Sequence, residues 1–115
     1  RFPGLFGLEV NVFASRAPRL RGAVAKALLH MVSEALTNIR RHTSATAVTV
    51  FVDVRDEELV LRLRNDHGRG EPLLPDFLPR SLSERAAEFR GSVDLNHHQD
   101  HTEMTITLPL MAAIA

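Results

Sequence analysis

One long amphipathic stretch followed directly by two alternating stretches is the feature that most constrains the fold of this chain. Apolar residues recur at spacings of three and four between Leu20 and His42, which predicts a helix. The positions that carry this pattern are Val24, Ala27, Leu28, Met31, Val32, Ala35, Leu36 and Ile39. Residues 48–54 and 59–64 then alternate on either side of a polar turn at 55–57, which predicts a hairpin with one buried face.

Shorter patterns complete the predicted order of elements. Residues 7–13 alternate as a half-buried strand, and residues 66–79 are too rich in glycine and proline to be regular. Ser81 to Arg90 reads as a short amphipathic helix that Gly91 ends as a C-cap. Residues 93–96 and 104–110 then form a last hairpin across 97–102. Strand, helix, two strands, loop, helix and two strands predict an α+β fold, with helices on one face of a mixed, mostly antiparallel sheet.

Bulk composition limits the class of protein. A length of 115 residues predicts one domain, spanning residues 1–115. The formal net charge is zero, so no basic field indicates nucleic acid as a partner. The chain has no cysteine, which excludes disulfides and thiolate metal sites. It contains no signal peptide and no apolar run near the roughly 20 residues that cross a bilayer. Because it opens on Arg1, we expect a domain cut from a longer, multidomain protein.

The long helix carries a candidate metal and water site. Glu34 and Asn38 are separated by four positions, so both lie on the same helix face. A carboxylate there can orient or deprotonate a water, and a carboxamide oxygen is a hard ligand suited to Mg²⁺. Arg41 lies one turn further along, within reach of a phosphate. The competing interpretation is an ordinary solvated face, since such residues are common on surface helices.

A second candidate site follows the predicted hairpin. Gly68 and Gly70 alternate behind Asp66, and glycines allow positive φ and close approach of the backbone to a ligand. A carboxylate beside such a turn can accept a hydrogen bond from an exocyclic amine, which predicts Asp66 as a reader of adenine. The competing interpretation is a plain Asp-x-Gly turn.

Four segments together resemble one superfamily. Residues 30–42 resemble the N box, and residues 66–70 are similar to the G1 box, of the GHKL ATPases. Residues 81–91 resemble the helix that follows the ATP lid, and residues 105–109 resemble the terminal strand. Within residues 30–42, the motif that starts at Glu34 looks like the N box of the sensor histidine kinases that pair with nitrate/nitrite-type regulators.

The resemblance implies a Bergerat two-layer α/β sandwich that binds ATP and Mg²⁺. It implies that Glu34 is the catalytic base and that Asn38 holds Mg²⁺. The cofactor-binding residues expected from it are Asn38, Arg41, His42, Asp66, Gly68, Gly70, Arg80 and Ser81. The implied reaction is transfer of the γ-phosphoryl group of ATP to a histidine, which relies on positioning and charge neutralisation.

The resemblance also implies partners and a location. We expect a phosphoacceptor and dimerisation domain upstream in the same protein, a homodimeric intact kinase, and a response regulator with a helix-turn-helix output. The expected location is cytoplasmic, as one domain of an inner-membrane sensor, with the membrane reached only through upstream segments. No phosphoacceptor helix precedes the domain here, so this chain alone is not expected to autophosphorylate.

The lid segment departs from the family pattern. The family has a Gly-x-Gly-Leu motif before the second helix, whereas residues 74–80 carry Pro75, Asp76 and Pro79 and no glycine. The prolines lack N–H donors and the carboxylate repels phosphate, leaving Arg80 and Ser81 to compensate. The alternative is therefore a degenerate GHKL domain without productive ATP binding that acts as a docking or regulatory module. A GHKL serine kinase of the anti-sigma type is a third, less well matched class.

Histidines offer two further candidates. His30 and His42 lie inside the predicted long helix, where packing or capping explains them better than phosphorylation. The predicted turn at 97–101 contains His97, His98 and His101, a composition that suits either a solvated turn or adventitious binding of Zn²⁺ or Ni²⁺.

Overall fold

The computed structural model describes residues 2–5, 8–14, 19–42, 45–66 and 80–113, with side chains for residues 9–14, 19–41, 45–66 and 80–111. The elements in chain order are β1 (Phe2–Leu5), β2 (Leu8–Ala14), α1 (Gly22–His42), β3 (Ala47–Arg55), β4 (Glu58–Asp66), α2 (Arg80–Ala87), β5 (Ser92–His97), β6 (His101–Pro109) and α3 (Leu110–Ala113). Residues 67–70 of the segment that is similar to the G1 box, and the lid segment up to Pro79, lie outside the described residues.

The strands form one mixed sheet in the order β1-β2-β3-β4-β6-β5. β2 and β3 are parallel because the chain crosses between them through α1, and a parallel pair requires such a crossover. The other strand pairs are antiparallel. The predicted α+β class with a mixed, mostly antiparallel sheet is confirmed.

The apolar face of α1 packs against the sheet. Val24 and Met31 are fully buried, and Ala35 and Ile39 continue the same face. Burying a side chain as large as valine or methionine contributes about 1.5–3 kcal/mol, so this face of α1 contributes strongly to the free energy of folding. The predicted helix is confirmed, with its first turn at Gly22.

The sheet has one helix-facing side and one open side. On the helix-facing side the leucines of β4 lie opposite the apolar residues of β6, with Leu63 opposite Met104 and Leu61 opposite Ile106. On the open side, Phe13 stacks on Phe51 with ring centroids 5.7 Å apart. The guanidinium groups of Arg62 and Arg64 lie over the Phe51 ring, which places the cations on the face away from the helices.

The end of α2 differs from the predicted glycine C-cap. The N–H of Gly91 donates to Ala86 and the N–H of Arg90 donates to Ala87, which is the Schellman pattern. In that pattern the left-handed residue is Arg90, with φ of 60°, and Gly91 follows it. A Cβ on Gly91 would collide with the Leu108 side chain and the Thr107 carbonyl. The glycine is therefore required by close packing against β6.

Two short elements, β1 and α3, have no counterpart in the predicted order. β1 is an edge strand that pairs antiparallel with β2. α3 follows β6 directly, and the N–H of Leu110 donates to the carbonyl of Glu57 at 2.9 Å. That bond holds the chain end against the tight β3–β4 turn.

Candidate nucleotide site

The candidate metal and water site of the long helix lies on the accessible part of α1. Glu34 and Asn38 are both half-buried and one turn apart, and Arg41 is exposed one turn beyond Asn38. Asn38 makes no side-chain hydrogen bond to another described residue, so its carboxamide oxygen fits the requirement for a hard Mg²⁺ ligand. His42 is the last residue of α1, and its side chain lies outside the described residues.

The second helix approaches the same face of α1. The hydroxyl of Ser81 donates a hydrogen bond to Oε2 of Glu34, across 47 positions of sequence. Arg80 is exposed at the first position of α2. The structure thus brings Ser81, in the first turn of α2, to Glu34 in the middle of α1, with Arg80 next to Ser81 in the same turn. A hydroxyl and a guanidinium at the beginning of a helix are groups that can bind a phosphate.

Asp66, at the end of β4, is held by the beginning of β3. Its Oδ1 accepts hydrogen bonds from the N–H of Thr46 at 2.8 Å and of Ala47 at 3.2 Å, and its Oδ2 accepts one from the Thr46 hydroxyl at 2.7 Å. Partial burial raises the pKa of Asp66, but the hydrogen bonds from Thr46 and Ala47 outweigh burial, so the pKa lies below its usual value. The carboxylate is therefore ionised near neutral pH, and both of its oxygens already accept hydrogen bonds from Thr46 or Ala47.

Beside Asp66 lies a row of polar side chains that the sequence motifs did not point to. Asn65 and Thr102 are the buried polar side chains among the described residues, at 3% and 2% exposed, and they lie opposite each other across β4 and β6. His97 of β5 pairs with Thr102 on the other side. The alternation that puts Leu63 in the core also puts Asn65 on the helix-facing side. This alternation could have identified Asn65 as a buried polar residue from the sequence.

The His97 ring is only partly satisfied. Its Nδ1 lies 3.1 Å from the Thr102 hydroxyl, whereas its buried Nε2 has no hydrogen-bond partner among the described residues. The buried Nε of Arg85, on α2, is in the same condition. Buried polar atoms without a partner cost roughly 1–3 kcal/mol, so these two nitrogens are unfavourable positions within the part of the chain that the structure describes.

The other predicted positions have mixed outcomes. Gly68 and Gly70 lie outside the described residues, so their role stays a prediction. At the β5–β6 turn, the His98 and His101 rings stack at 4.4 Å, and Nδ1 of His101 contacts the Asp100 carboxylate at 2.7 Å. Within the described ranges, no three His, Cys, Asp or Glu side chains converge as a metal site.

None of the helices in the described residues is both long enough and apolar enough to cross a membrane.

Sequence comparison relates the chain to one curated signalling protein. No family model matches the chain. The sensor histidine kinase LiaS of Bacillus subtilis (strain 168) is 28% identical over 88 residues, covering 72% of this chain and 24% of LiaS. The chain therefore spans about a quarter of the length of this relative.

Solved structures identify the fold. The chain is similar to the Acinetobacter baumannii histidine kinase AdeS, with a TM-score of 0.74 at 12% identity, over 90% of this chain and 55% of that one. It is also similar to the histidine kinase domain of the Erythrobacter litoralis EL346 blue-light activated histidine kinase, with a TM-score of 0.71 at 23% identity, over 94% of this chain and 54% of that one.

Proposed function

We propose that this chain, which has the fold of a histidine kinase catalytic domain, is the ATP-binding catalytic domain of a two-component sensor histidine kinase. The observation that carries the proposal is that Glu34, one turn from Asn38 on α1, meets the first turn of α2 through the bond from Ser81. A carboxylate, a hard oxygen ligand and an arginine at one helix junction are the groups that phosphoryl transfer uses.

Each residue has a distinct role in this proposal. Glu34 orients or accepts a proton from the attacking group, and Asn38 holds Mg²⁺ by its carboxamide oxygen. Bound Mg²⁺ supplies neutralisation of phosphate charge. Arg41 and Arg80, both exposed, bind the phosphate oxygens. The adenine lies at the Asp66 end of β4, towards the segment that carries Gly68 and Gly70.

The phosphoryl group passes to a histidine outside this chain in the proposed protein. That histidine lies on an upstream dimerisation domain, so the intact kinase is a homodimer. A response regulator with a helix-turn-helix output then receives the phosphoryl group, as in the nitrate/nitrite subgroup. The domain works on the cytoplasmic side of an inner-membrane sensor.

Thermal melting with and without millimolar Mg-ATP tests the proposal. A ligand at about 100 times its Kd adds roughly 2.7 kcal/mol, which raises the Tm by several degrees in a domain of this size. Arg41→Ala should reduce the shift, because Arg41 shares the helix face of Glu34 and Asn38. Arg40→Ala is the matched control, since it removes the same charge about 100° further round α1, away from Glu34 and Asn38.

The alternative is a degenerate domain that docks or regulates without productive ATP binding. The observation that favours it is that the carboxylates of Glu34 and Asp66 already accept hydrogen bonds from Ser81, Thr46 and Ala47. Absence of any melting shift with Mg-ATP and with Mg-ADP would reject the kinase proposal and favour this one.

A further inference from the structure

An apolar slot of about 500 Å³ lies between α1 and the sheet. Its floor is made by valines and leucines of β2, β3 and β4. Its helix wall is made by residues that recur at spacings of three and four and so lie along one side of α1. These residues are Ala25, Leu28, Leu29, Val32 and Leu36. Every described residue that lines the slot is apolar.

The slot is separate from the candidate nucleotide site. Glu34 and Asn38 lie on one flank of the buried face of α1, whereas Leu36 points about 200° round the helix from Glu34, on the other flank. The floor of the slot includes Leu59, which follows the β3–β4 turn, whereas Asp66 lies at the opposite end of β4. A molecule in the slot therefore leaves the candidate nucleotide site open.

The slot is recessed below the surface. Leu36, Leu59 and Leu61 at its bottom are 1–4% exposed. Among the described lining residues, only Val12 and Leu29 are largely exposed, at 42% and 72%. A stable protein–protein interface buries about 800 Å² on each partner, which two exposed side chains do not provide. The apolar area is inside the slot, where a thin molecule reaches it and a broad protein surface does not.

The lining selects an aliphatic occupant. A buried water needs about three hydrogen bonds, and the side chains that line the slot offer none. The lining consists of valine, leucine and alanine, without an aromatic ring on which a planar ligand could stack. Each methylene group that moves from water into such surroundings gains free energy, so an alkyl chain is the chemistry that this lining binds.

The shape and the surrounding charges define the ligand further. Ala25 and Leu36 are eleven positions apart on α1, so the slot is about 16 Å long. A volume of about 500 Å³ over that length is long and narrow, which is the shape of an unbranched chain. Exposed charges of both signs lie next to lining residues, since Lys26 follows Ala25 and Glu58 precedes Leu59. Neither sign dominates, so an uncharged head group suits the mouth.

We propose that this slot is a binding site for a small, uncharged, unbranched aliphatic molecule of the medium-chain alcohol type. The alkyl chain lies along α1, against Ala25, Leu28 and Val32, with its head group at the mouth. The site is independent of the proposed function, because no residue of the candidate nucleotide site lines it.

Calorimetric titration of the chain with straight-chain alcohols, from butanol to decanol, tests the proposal. We expect one-to-one binding with an affinity that rises about fourfold for each added methylene. The rise should stop at the chain length that fills the slot. Unspecific adsorption has no fixed stoichiometry, and its affinity continues to rise with chain length.

Two substitutions place the alcohol in the slot. Ala25→Leu adds a side chain that occupies the space of at least two methylenes, so it should weaken octanol binding more than about tenfold. Ala23→Leu is the matched control, because Ala23 is exposed on α1 and does not line the slot. Val32→Thr keeps the shape of the wall but adds a hydroxyl, which should weaken binding about tenfold. Melting curves without alcohol verify that the variants fold.

Several outcomes would overturn the proposal. Absence of saturable binding to the wild-type chain would reject the site, and equal affinities of the wild-type chain and Ala25→Leu would place the alcohol elsewhere. Tighter binding of octanoate or octylamine than of octanol would reject an uncharged ligand. A wild-type dimer in sedimentation that Ala25→Leu abolishes would assign the slot to a second copy. Binding to phosphatidylcholine vesicles without binding of free octanol would assign it to a membrane.

Discussion

The hydroxyl of Ser81 donates a hydrogen bond to the carboxylate of Glu34, so the first turn of α2 is fastened to the middle of α1. Leu82 and Ala86 bury the sheet-facing side of α2. The bond to Glu34 is therefore a separate attachment, made by the turn of α2 that follows the lid segment. It links the two helices that would face each other across a bound phosphate.

Ser81→Ala should destabilise the chain by about 1 kcal/mol, because it removes a hydrogen bond to a charged acceptor that is only half-buried. The measurement is the free energy of unfolding in denaturant. Ser83→Ala is the matched control on the same helix, since Ser83 makes no side-chain hydrogen bond to another described residue. Equal losses in the two variants would mean that the bond between Ser81 and Glu34 contributes nothing.

The major elements could be predicted because their patterns are long and regular. Twenty-one residues of α1 and the nine-residue strands β3, β4 and β6 each repeat their period several times. β1 has four residues, including Pro3, and α3 has four residues, so neither repeats a period. Their structure depends on neighbours, namely β2 for β1 and the β3–β4 turn for α3.

The site was predicted unevenly for a similar reason. A spacing of four on a helix is enough to place Glu34 and Asn38 together. Nothing local shows that Ser81 meets Glu34, because that contact depends on how two helices pack. Asn65 continues the alternation of the β4 leucines and could have been predicted as a buried polar residue. The glycine spacing that follows points to Asp66 instead.

Asp66→Asn should reduce stability at neutral pH and flatten its dependence on acid. The folded-state pKa of Asp66 lies below its unfolded value, so its contribution is present above about pH 3.9 and is lost as the pH falls through the folded pKa. We expect a loss of about 1–2 kcal/mol at pH 7, from weaker bonds to Thr46 and Ala47.

Denaturant unfolding between about pH 2.5 and pH 6 measures this effect, since that range brackets the unfolded pKa of an aspartate. Thr46→Val is the matched partner change, because it removes the hydroxyl bond but leaves the two N–H donors on Oδ1. It should reproduce part of the loss seen in Asp66→Asn. A wild-type chain and an Asp66→Asn variant with parallel stability curves over this range would contradict the assignment.

Asn38→Ala should weaken the binding of ATP in the presence of Mg²⁺ about tenfold, with little change when the metal is chelated, because in the proposed site the carboxamide oxygen acts through the ion. Fluorescence titration with and without EDTA gives the two affinities. Thr37→Ala serves as the control on the neighbouring position, where the hydroxyl bonds only to the carbonyl of Ser33 among the described residues. An equal loss with and without Mg²⁺ would assign Asn38 to direct contact with the nucleotide.

Arg90→Gly and Gly91→Ala should change stability in opposite directions, although they are adjacent. Arg90 holds a φ of 60°, which glycine adopts without strain, so Arg90→Gly should stabilise the chain by about 0.5–1 kcal/mol. A methyl group at Gly91 would meet the Leu108 side chain and the Thr107 carbonyl, so Gly91→Ala should cost about 2–4 kcal/mol. Thermal melting of both variants measures the difference. Stabilisation by Gly91→Ala would contradict this, because it would mean that β6 leaves room for a methyl group at position 91 and that no steric reason requires glycine there.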